Sequence, residues 1–253
     1  MCLYILYYQS HPHYPIILAG NRDEFYERNA SPLHRWTDHT NIIGGKDLKE
    51  GGSWLAVNNN GNFAVVTNYR DPANLRDNVV SRGSLVSNFL IQEYKPEEYL
   101  NKISESDNDY NGYNLIIGNH RKVYYYSNII HHYKKLTKGI YMLSNHLLDT
   151  PWYKTLRAKR MCSEVIGMMK EIDIDALLRI FTDYTIAPDD QLPDTGIGYK
   201  LERMLSSIFI ESAVYGTMAT TILTIDNEGK VNIHEKTYKP AGQTSACFLS
   251  KGK

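Results

Sequence analysis

From Cys2 to Tyr8 the chain is apolar without a break (CLYILYY) until Ser10-His11-Pro12 stops it, which reads as a strand. Pro15 to Ala19 is a second apolar run, and the short connection between the two predicts a hairpin. That second run ends in Gly20-Asn21-Arg22-Asp23-Glu24, four polar residues placed directly after the chemistry of a buried strand. Ile42 to Gly45 is a short strand ending in glycines. Trp54 to Asn58 and Asn62 to Asn68 flank Asn59-Asn60-Gly61, a type I′ hairpin signal. Leu85, Val86, Phe89 and Leu90 repeat as the buried side of a helix does, and Pro96-Glu97-Glu98 opens another.

Asp107 to Gly112 is polar and loop-like. Tyr113 to Ile117 and Lys122 to Tyr126 then form a hairpin around Gly118-Asn119, and Ile140 to Leu143 is a short strand ending at Ser144-Asn145. Thr150 and Pro151 suit the N-cap and first position of a helix. Its apolar positions are Leu156, Met161, Val165, Met168, Met169 and Ile172. Asp175 to Phe181 is a further helix, Pro188 to Gly198 a loop. Thr217 to Asp226 and Lys230 to Lys236 form the last hairpin, turning at Asn227-Glu228-Gly229. Hairpins come early and late, with helices between. That order predicts an α+β fold whose antiparallel sheets carry helices on their outer faces. No repeat, low-complexity tract or linker divides the chain, so residues 1–253 are expected to form a single domain.

Charge narrows the partners. Lys plus Arg number 28, as do Asp plus Glu, so nothing draws the protein to phosphate backbones or anionic lipid, and nucleic acid is not expected. The three cysteines, Cys2, Cys162 and Cys247, are too scattered for a disulfide framework, which suits a reducing, cytoplasmic setting. The apolar start lacks a basic leader and is too short for a signal peptide, and no run reaches the roughly 18 apolar residues a spanning helix needs. Twenty tyrosines against 6 phenylalanines favour half-buried strands and the rims of polar pockets.

Cys2 is the first candidate for chemistry. Removal of Met1, which a small second residue permits, gives Cys2 a free α-amine beside its thiol. The amine titrates near about 7.7–8.0 and the thiol near about 8.5, so one residue supplies nucleophile and base. The alternative is that Cys2 is a small buried hydrophobe on the first strand. Asn21-Arg22-Asp23-Glu24 sits where a sheet meets solvent: an Asp there can orient an amine, and an Arg can hold an anionic intermediate. A salt-bridged turn is the plainer account of the same residues. Asn68 and Asn145 end strands, where a rigid side-chain amide can donate to a developing oxyanion, although asparagine is also an ordinary turn residue. Adjacent His131 and His132 on a strand would point to opposite faces and cannot share a metal. No H-E-x-x-H, C-x-x-C-H or glycine-rich phosphate fingerprint is present. No metal or cofactor is therefore expected, nor axial ligation of haem by a fixed His or Cys.

The run Ala19-Gly20-Asn21-Arg22-Asp23-Glu24-Phe25 resembles the signature of the NRDE family, whose animal members are called transport and Golgi organization protein 2. Met1-Cys2, Gly44-Gly45-Lys46-Asp47-Leu48, Gly51-Gly52-Ser53-Trp54-Leu55 and Thr67-Asn68-Tyr69-Arg70 resemble it in the same order. So do Leu143-Ser144-Asn145 with Leu148-Asp149-Thr150-Pro151-Trp152, then Leu192-Pro193-Asp194-Thr195-Gly196, and Tyr215-Gly216-Thr217. That family in turn resembles the N-terminal nucleophile hydrolases of the bile-salt hydrolase and penicillin acylase branch. The resemblance implies a four-layer αββα sandwich with Cys2 as nucleophile, Asp23 holding its amine and Arg22 as an electrostatic helper. It makes Asn145 the oxyanion asparagine and Asn68 a looser match. Asn21, Glu24, Trp54 and Tyr69, in the same matched segments, are assigned to substrate binding. One departure is Met218, where the family commonly has an Arg after Gly-Thr.

Two functions follow from the resemblance. The first is a hydrolase or acyltransferase acting on a small amide or thioester through an N-terminal cysteine. The second is a carrier or chaperone using the same cleft for haem or an acyl-coenzyme A, because family members have been tied to haem trafficking and acyl-coenzyme A metabolism.

Overall fold

The computed structural model describes residues 2–167 and 170–251. Its strands fall into two antiparallel sheets. The first contains β1 (Cys2–Tyr8), β2 (Ile16–Phe25), β10 (Gly139–Leu143), β11 (Tyr215–Ile225), β12 (Lys230–Tyr238) and β13 (Ala241–Leu249), in the order β10-β1-β2-β11-β12-β13. The second is a meander in chain order, namely β3 (Ala30–Arg35), β4 (Ile42–Asp47), β5 (Leu55–Asn58), β6 (Phe63–Asn68), β7 (Tyr113–Gly118), β8 (Val123–Ser127) and β9 (His132–Lys135).

Strand alternation sorts the side chains into layers. Tyr4, Leu6 and Tyr8 of β1 face the second sheet, where they meet Leu55, Val57, Phe63 and Val65. Leu3, Ile5 and Tyr7 point the other way, toward α3 (Tyr153–Ile166) and α4 (Ile174–Ile180). On the far face of the second sheet, Ala56, Ala64 and Val66 pack under α1 (Gly83–Gln92) and α2 (Pro96–Ser104). The result is the expected αββα sandwich. Because both faces of β1 are covered, every one of its residues is buried, which is why the strand reads as an unbroken apolar run. Among the described residues, no helix is long and apolar enough to cross a membrane.

Several local expectations are corrected. β2 does not stop at Ala19 but runs to Phe25, because β1 and β11 pair with it on either side and satisfy its backbone through the polar stretch. In the β5–β6 turn only Gly61 has positive φ, +76°, whereas type I′ needs two such residues. The Gly61 amide closes onto the Asn58 carbonyl at 2.9 Å, a three-residue connection with glycine in the left-handed position. Thr150 does not cap α3, which starts at Tyr153 with Trp152 as its cap residue; the Thr150 hydroxyl donates to the Leu147 carbonyl at 2.7 Å. The buried stripe of α3 is Thr155, Ala158, Cys162 and Ile166, so Leu156 is 55% exposed, while Met168 and Met169 lie outside the described residues.

His131 is not in a strand. It adopts φ +48° just before β9 and its Nδ1 meets the Asp107 carboxylate at 2.9 Å, while His132 stacks on Tyr133. Strands β3, β9 and β13 and helix α5 (Tyr199–Met204) were not anticipated, and Cys247 lies in β13.

The register of the helical layer has a direct consequence. Leu177 of α4 is fully buried, so Leu177→Ala is expected to cost about 2–5 kcal/mol. Leu156→Ala should change stability by less than about 0.5 kcal/mol. Urea denaturation of the two variants checks both.

Candidate active site

Cys2 is the first residue of β1 and lies directly opposite Arg22 of β2. Its side chain belongs to the core between the sheets and is 8% exposed. The Ser144 hydroxyl donates to the Cys2 carbonyl at 2.9 Å and fixes the start of the strand. Burial pushes the thiol above its usual range, and the Asp23 carboxylate pushes in the same direction.

Asp23 follows one residue after Arg22 and pairs with Thr217 of β11. The register of β11 slips between Thr217 and Ala219, which makes Met218 a bulged residue. Thr217 Oγ1 donates to Asp23 Oδ1 at 2.7 Å, and the Tyr215 hydroxyl donates to the Asp23 carbonyl at 2.9 Å. Burial raises the Asp23 carboxyl, while the Lys154 ammonium and the Thr217 hydroxyl oppose that rise. Lys154, on α3, is itself fully enclosed, with its Nζ donating to the Leu205 carbonyl at 3.0 Å. Burial pushes its pKa down to about 8, with Arg70 acting in the same sense.

Beside Cys2 opens a cleft of about 400 Å³, bounded by Arg22, Asp23, Trp54, Asn68 and Arg82 among others. The Arg22 guanidinium lies 4.4 Å above the Trp54 ring. The indole lies across β4 because residue 45 is glycine; a Cβ there would stand 2.2 Å from Trp54 Cζ2. On the other side of Arg22 and Trp54 is a second cavity of about 300 Å³, which Met218, Pro32 and Ala219 help to line. Met218 therefore places an apolar side chain in that second cavity.

The two sheets are tied together at the cleft. Asn145 follows β10 in the first sheet, yet its Nδ2 donates to the Asn68 carbonyl at the end of β6 in the second, at 3.0 Å. The Arg70 amide returns a bond to the Asn145 carbonyl at 2.8 Å. Cys2, Arg22, Asp23, Glu24, Trp54 and Asn68 all reach the cleft, and Asn145 stands directly behind it.

Two expected residues do not join them. Asn21 points to the helical layer: its Nδ2 donates to the Phe181 and Ile208 carbonyls at 2.9 Å each, and its Oδ1 accepts from Thr220. Tyr69 turns its hydroxyl to His146 Nε2 at 2.9 Å. Alternation sends Asn21 to the face opposite Arg22, while Asp23, of the same parity as Asn21, borders the cleft two residues nearer the end of β2.

Sequence reasoning missed four charged residues around the site. Arg70 pairs with Glu202 at 2.6 Å, both nearly buried, and its guanidinium lies 4.8 Å from the Trp152 ring. Glu202 also accepts from the Thr195 amide and hydroxyl, which pins the Leu192–Gly196 motif against the end of β6. Lys154 and Arg82 complete the set. Arg70 was visible as the residue ending a matched segment; Glu202 sits on the unanticipated helix α5 and carried no signal. Among the described residues no group of three or more His, Cys, Asp or Glu is placed to hold a metal ion.

The model of the family described as Transport and Golgi organisation 2 matches residues 1–240. A transport and Golgi organization protein 2 homolog from Bos taurus is 34% identical over 93% of this chain and 92% of its own length. The Homo sapiens homolog is 33% identical over the same shares, and the Drosophila melanogaster protein is 24% identical over 99% and 98%. Among solved structures, a mutant C2A conjugated bile acid hydrolase from Clostridium perfringens superposes with TM-score 0.55 at 11% identity. The match covers 97% of this chain and 92% of that one. A Caenorhabditis elegans ortholog of N-acylethanolamine-hydrolyzing acid amidase gives TM-score 0.51 at 8% identity over 88% and 92%. At those identities the likeness establishes the fold, which is that of the N-terminal nucleophile hydrolases.

Because Asn21 bonds two carbonyls and a hydroxyl across layers, Asn21→Ala strands buried polar groups. It is expected to cost about 2–4 kcal/mol by denaturant melting, at about 1–3 kcal/mol for each unsatisfied group.

Proposed function

We propose that this chain, which belongs to the Transport and Golgi organisation 2 family, is a hydrolase or acyltransferase acting on a small amide or thioester, with Cys2 as its nucleophile. The observation that carries this reading is the convergence on one cleft of Cys2, the Asp23 carboxylate and the Asn68 strand end, drawn from both sheets. A site assembled across the two sheets also supports reading residues 1–253 as one domain. The three cysteines form no disulfide, which suits a reducing, cytoplasmic setting.

With Met1 removed, the α-amine of Cys2 takes the thiol proton and the sulfur attacks the acyl carbon. Asp23, held by Thr217, orients the resulting ammonium. Asn68, which lines the cleft, takes the role of donor to the oxyanion, while Asn145, with one N–H committed to the Asn68 carbonyl, positions it. The ammonium returns its proton to the departing nitrogen or sulfur, leaving an acyl thioester on Cys2. Water, or an acceptor, then attacks that thioester while the amine takes the proton. Arg22 stabilises negative charge from the cleft wall.

A second reading rests on the burial of the thiol and its raised pKa. If Met1 stays attached, no free amine exists to lift that barrier, and the cleft serves as a carrier site for haem or an acyl-coenzyme A.

Intact-mass analysis of purified protein separates the two: loss of Met1 supports the enzyme, retention the carrier. In processed protein, acyl-amide or thioester cleavage should fall by about 10³-fold or more in Cys2→Ala. A Cys2→Ala variant as active as the parent sinks the nucleophile. The base must be unprotonated, so kcat/KM is expected to rise with pH through about 7.7–8.0 and to fall away on the acid side. A pH profile measured from 5.5 to 9 checks the sign.

A further inference from the structure

We propose that the substrate of the Cys2 reaction bears one free carboxylate, which the cleft binds through the guanidinium groups of Arg82 and Arg22. The inference rests on Cys2 being the nucleophile and adds the chemical class of what it attacks.

The arginines near the cleft are not equivalent. Arg28 is neutralised by Asp47 at 2.5 Å and lies 3.9 Å from Glu24. Arg70 is paired with Glu202. The Arg22 side chain, on a residue only 5% exposed, makes no hydrogen bond or ion pair to any described residue; it rests on the Trp54 ring and borders the cleft. The buried Glu235 feels the Arg22 charge but makes no ion pair with it, its carboxylate accepting the Leu33 amide at 2.6 Å and the Thr221 hydroxyl at 2.9 Å.

Arg82, just before α1, uses one N–H on the Gly112 carbonyl at 3.1 Å and meets no carboxylate at ion-pair distance among the described residues. Its position is built in. Gly52 and Gly83 touch so closely that a Cβ at residue 52 would come within 2.4 Å of the Gly83 carbonyl carbon, and the Ser53 amide binds the Gly83 carbonyl at 3.2 Å. The start of α1 is thereby pressed against the β4–β5 connection with Arg82 at the cleft edge.

The electrostatics agree with the geometry. Burial pushes the Arg82 guanidinium down to about 10, so its cation is held without adequate compensation, and an arriving anion relieves that cost. Glu24, Glu50 and the Arg28-bound Asp47 also border the cleft. A phosphate dianion is repelled by that company, whereas a single carboxylate matches a planar guanidinium bidentately. With Asp23 also on the lining, a single charge meets less repulsion than two.

The test compares two alkylating reagents of nearly equal size, iodoacetate and iodoacetamide, on processed protein, with exposed Cys247 as the internal reference. The iodoacetate-to-iodoacetamide rate ratio at Cys2 should exceed that at Cys247 by about tenfold, the effect of one charge-assisted contact. Taking the ratio cancels any change in thiolate fraction, which both reagents share. Arg82→Gln should collapse the ratio to the Cys247 value, and Arg82→Lys should keep part of it. Equal ratios at Cys2 and Cys247 in the parent protein overturn the carboxylate site while leaving the nucleophile standing. If neither reagent labels Cys2, the nucleophile is the part that fails. The anion site is then judged by millimolar hexanoylglycine protecting Arg82 from phenylglyoxal, and an absence of protection overturns it.

Discussion

The site depends on β1 being enclosed on every side. β10 and β2 pair with its edges, the second sheet covers one face and α3 with α4 the other. From Tyr4 to Tyr8 the strand has partners on both edges, and its register is fixed because a slip of one residue would exchange the two sets of buried side chains. Cys2 is the end residue of that strand, paired with Arg22 on one edge and bordering the cleft where the sandwich opens. The Ser144 hydroxyl on the Cys2 carbonyl and the Asn145 amide on the Asn68 carbonyl bind this corner to the second sheet.

Around that corner the protein holds several charges out of water. Asp23 is pushed up, Lys154 and Arg82 are pushed down, and the Cys2 thiol is pushed up, each chiefly by burial. A desolvated thiol is a poor nucleophile by itself, so the chemistry proposed for Cys2 requires a base in contact with it. The α-amine of the same residue meets that need without another side chain having to reach into the corner. The second sheet answers with Trp54, whose indole supports Arg22 and separates the polar cleft from the more apolar cavity beside Met218.

The same enclosure explains which parts of the fold were legible. β1, the hairpin of β5 and β6, the hairpin of β7 and β8, and α1 were readable because apolar runs and helical spacing record burial directly. β3 and β13 face solvent on one side and carry mixed residues, so no run marks them. Asn21 to Glu24 was read as the end of a strand because its residues are polar. What keeps it in β2 is the hydrogen-bonding of two neighbours, one of them almost 200 residues away along the chain.

For the site, the order of residues alone determined that Cys2 could combine thiol and amine, and that the Asn-Arg-Asp-Glu run would stand next to it in a hairpin. It also placed Asn68 and Asn145 at strand ends. Only the tertiary structure decided how these divide: Arg22 faces the cleft, Asn21 turns to the helices, Asn145 braces Asn68, and Tyr69 turns to His146. Arg82, Lys154 and Glu202 acquire their surroundings from elements far apart in the chain. Burial and pairing are properties of what a side chain meets, and for these residues the partners come from other layers, which local patterning does not encode.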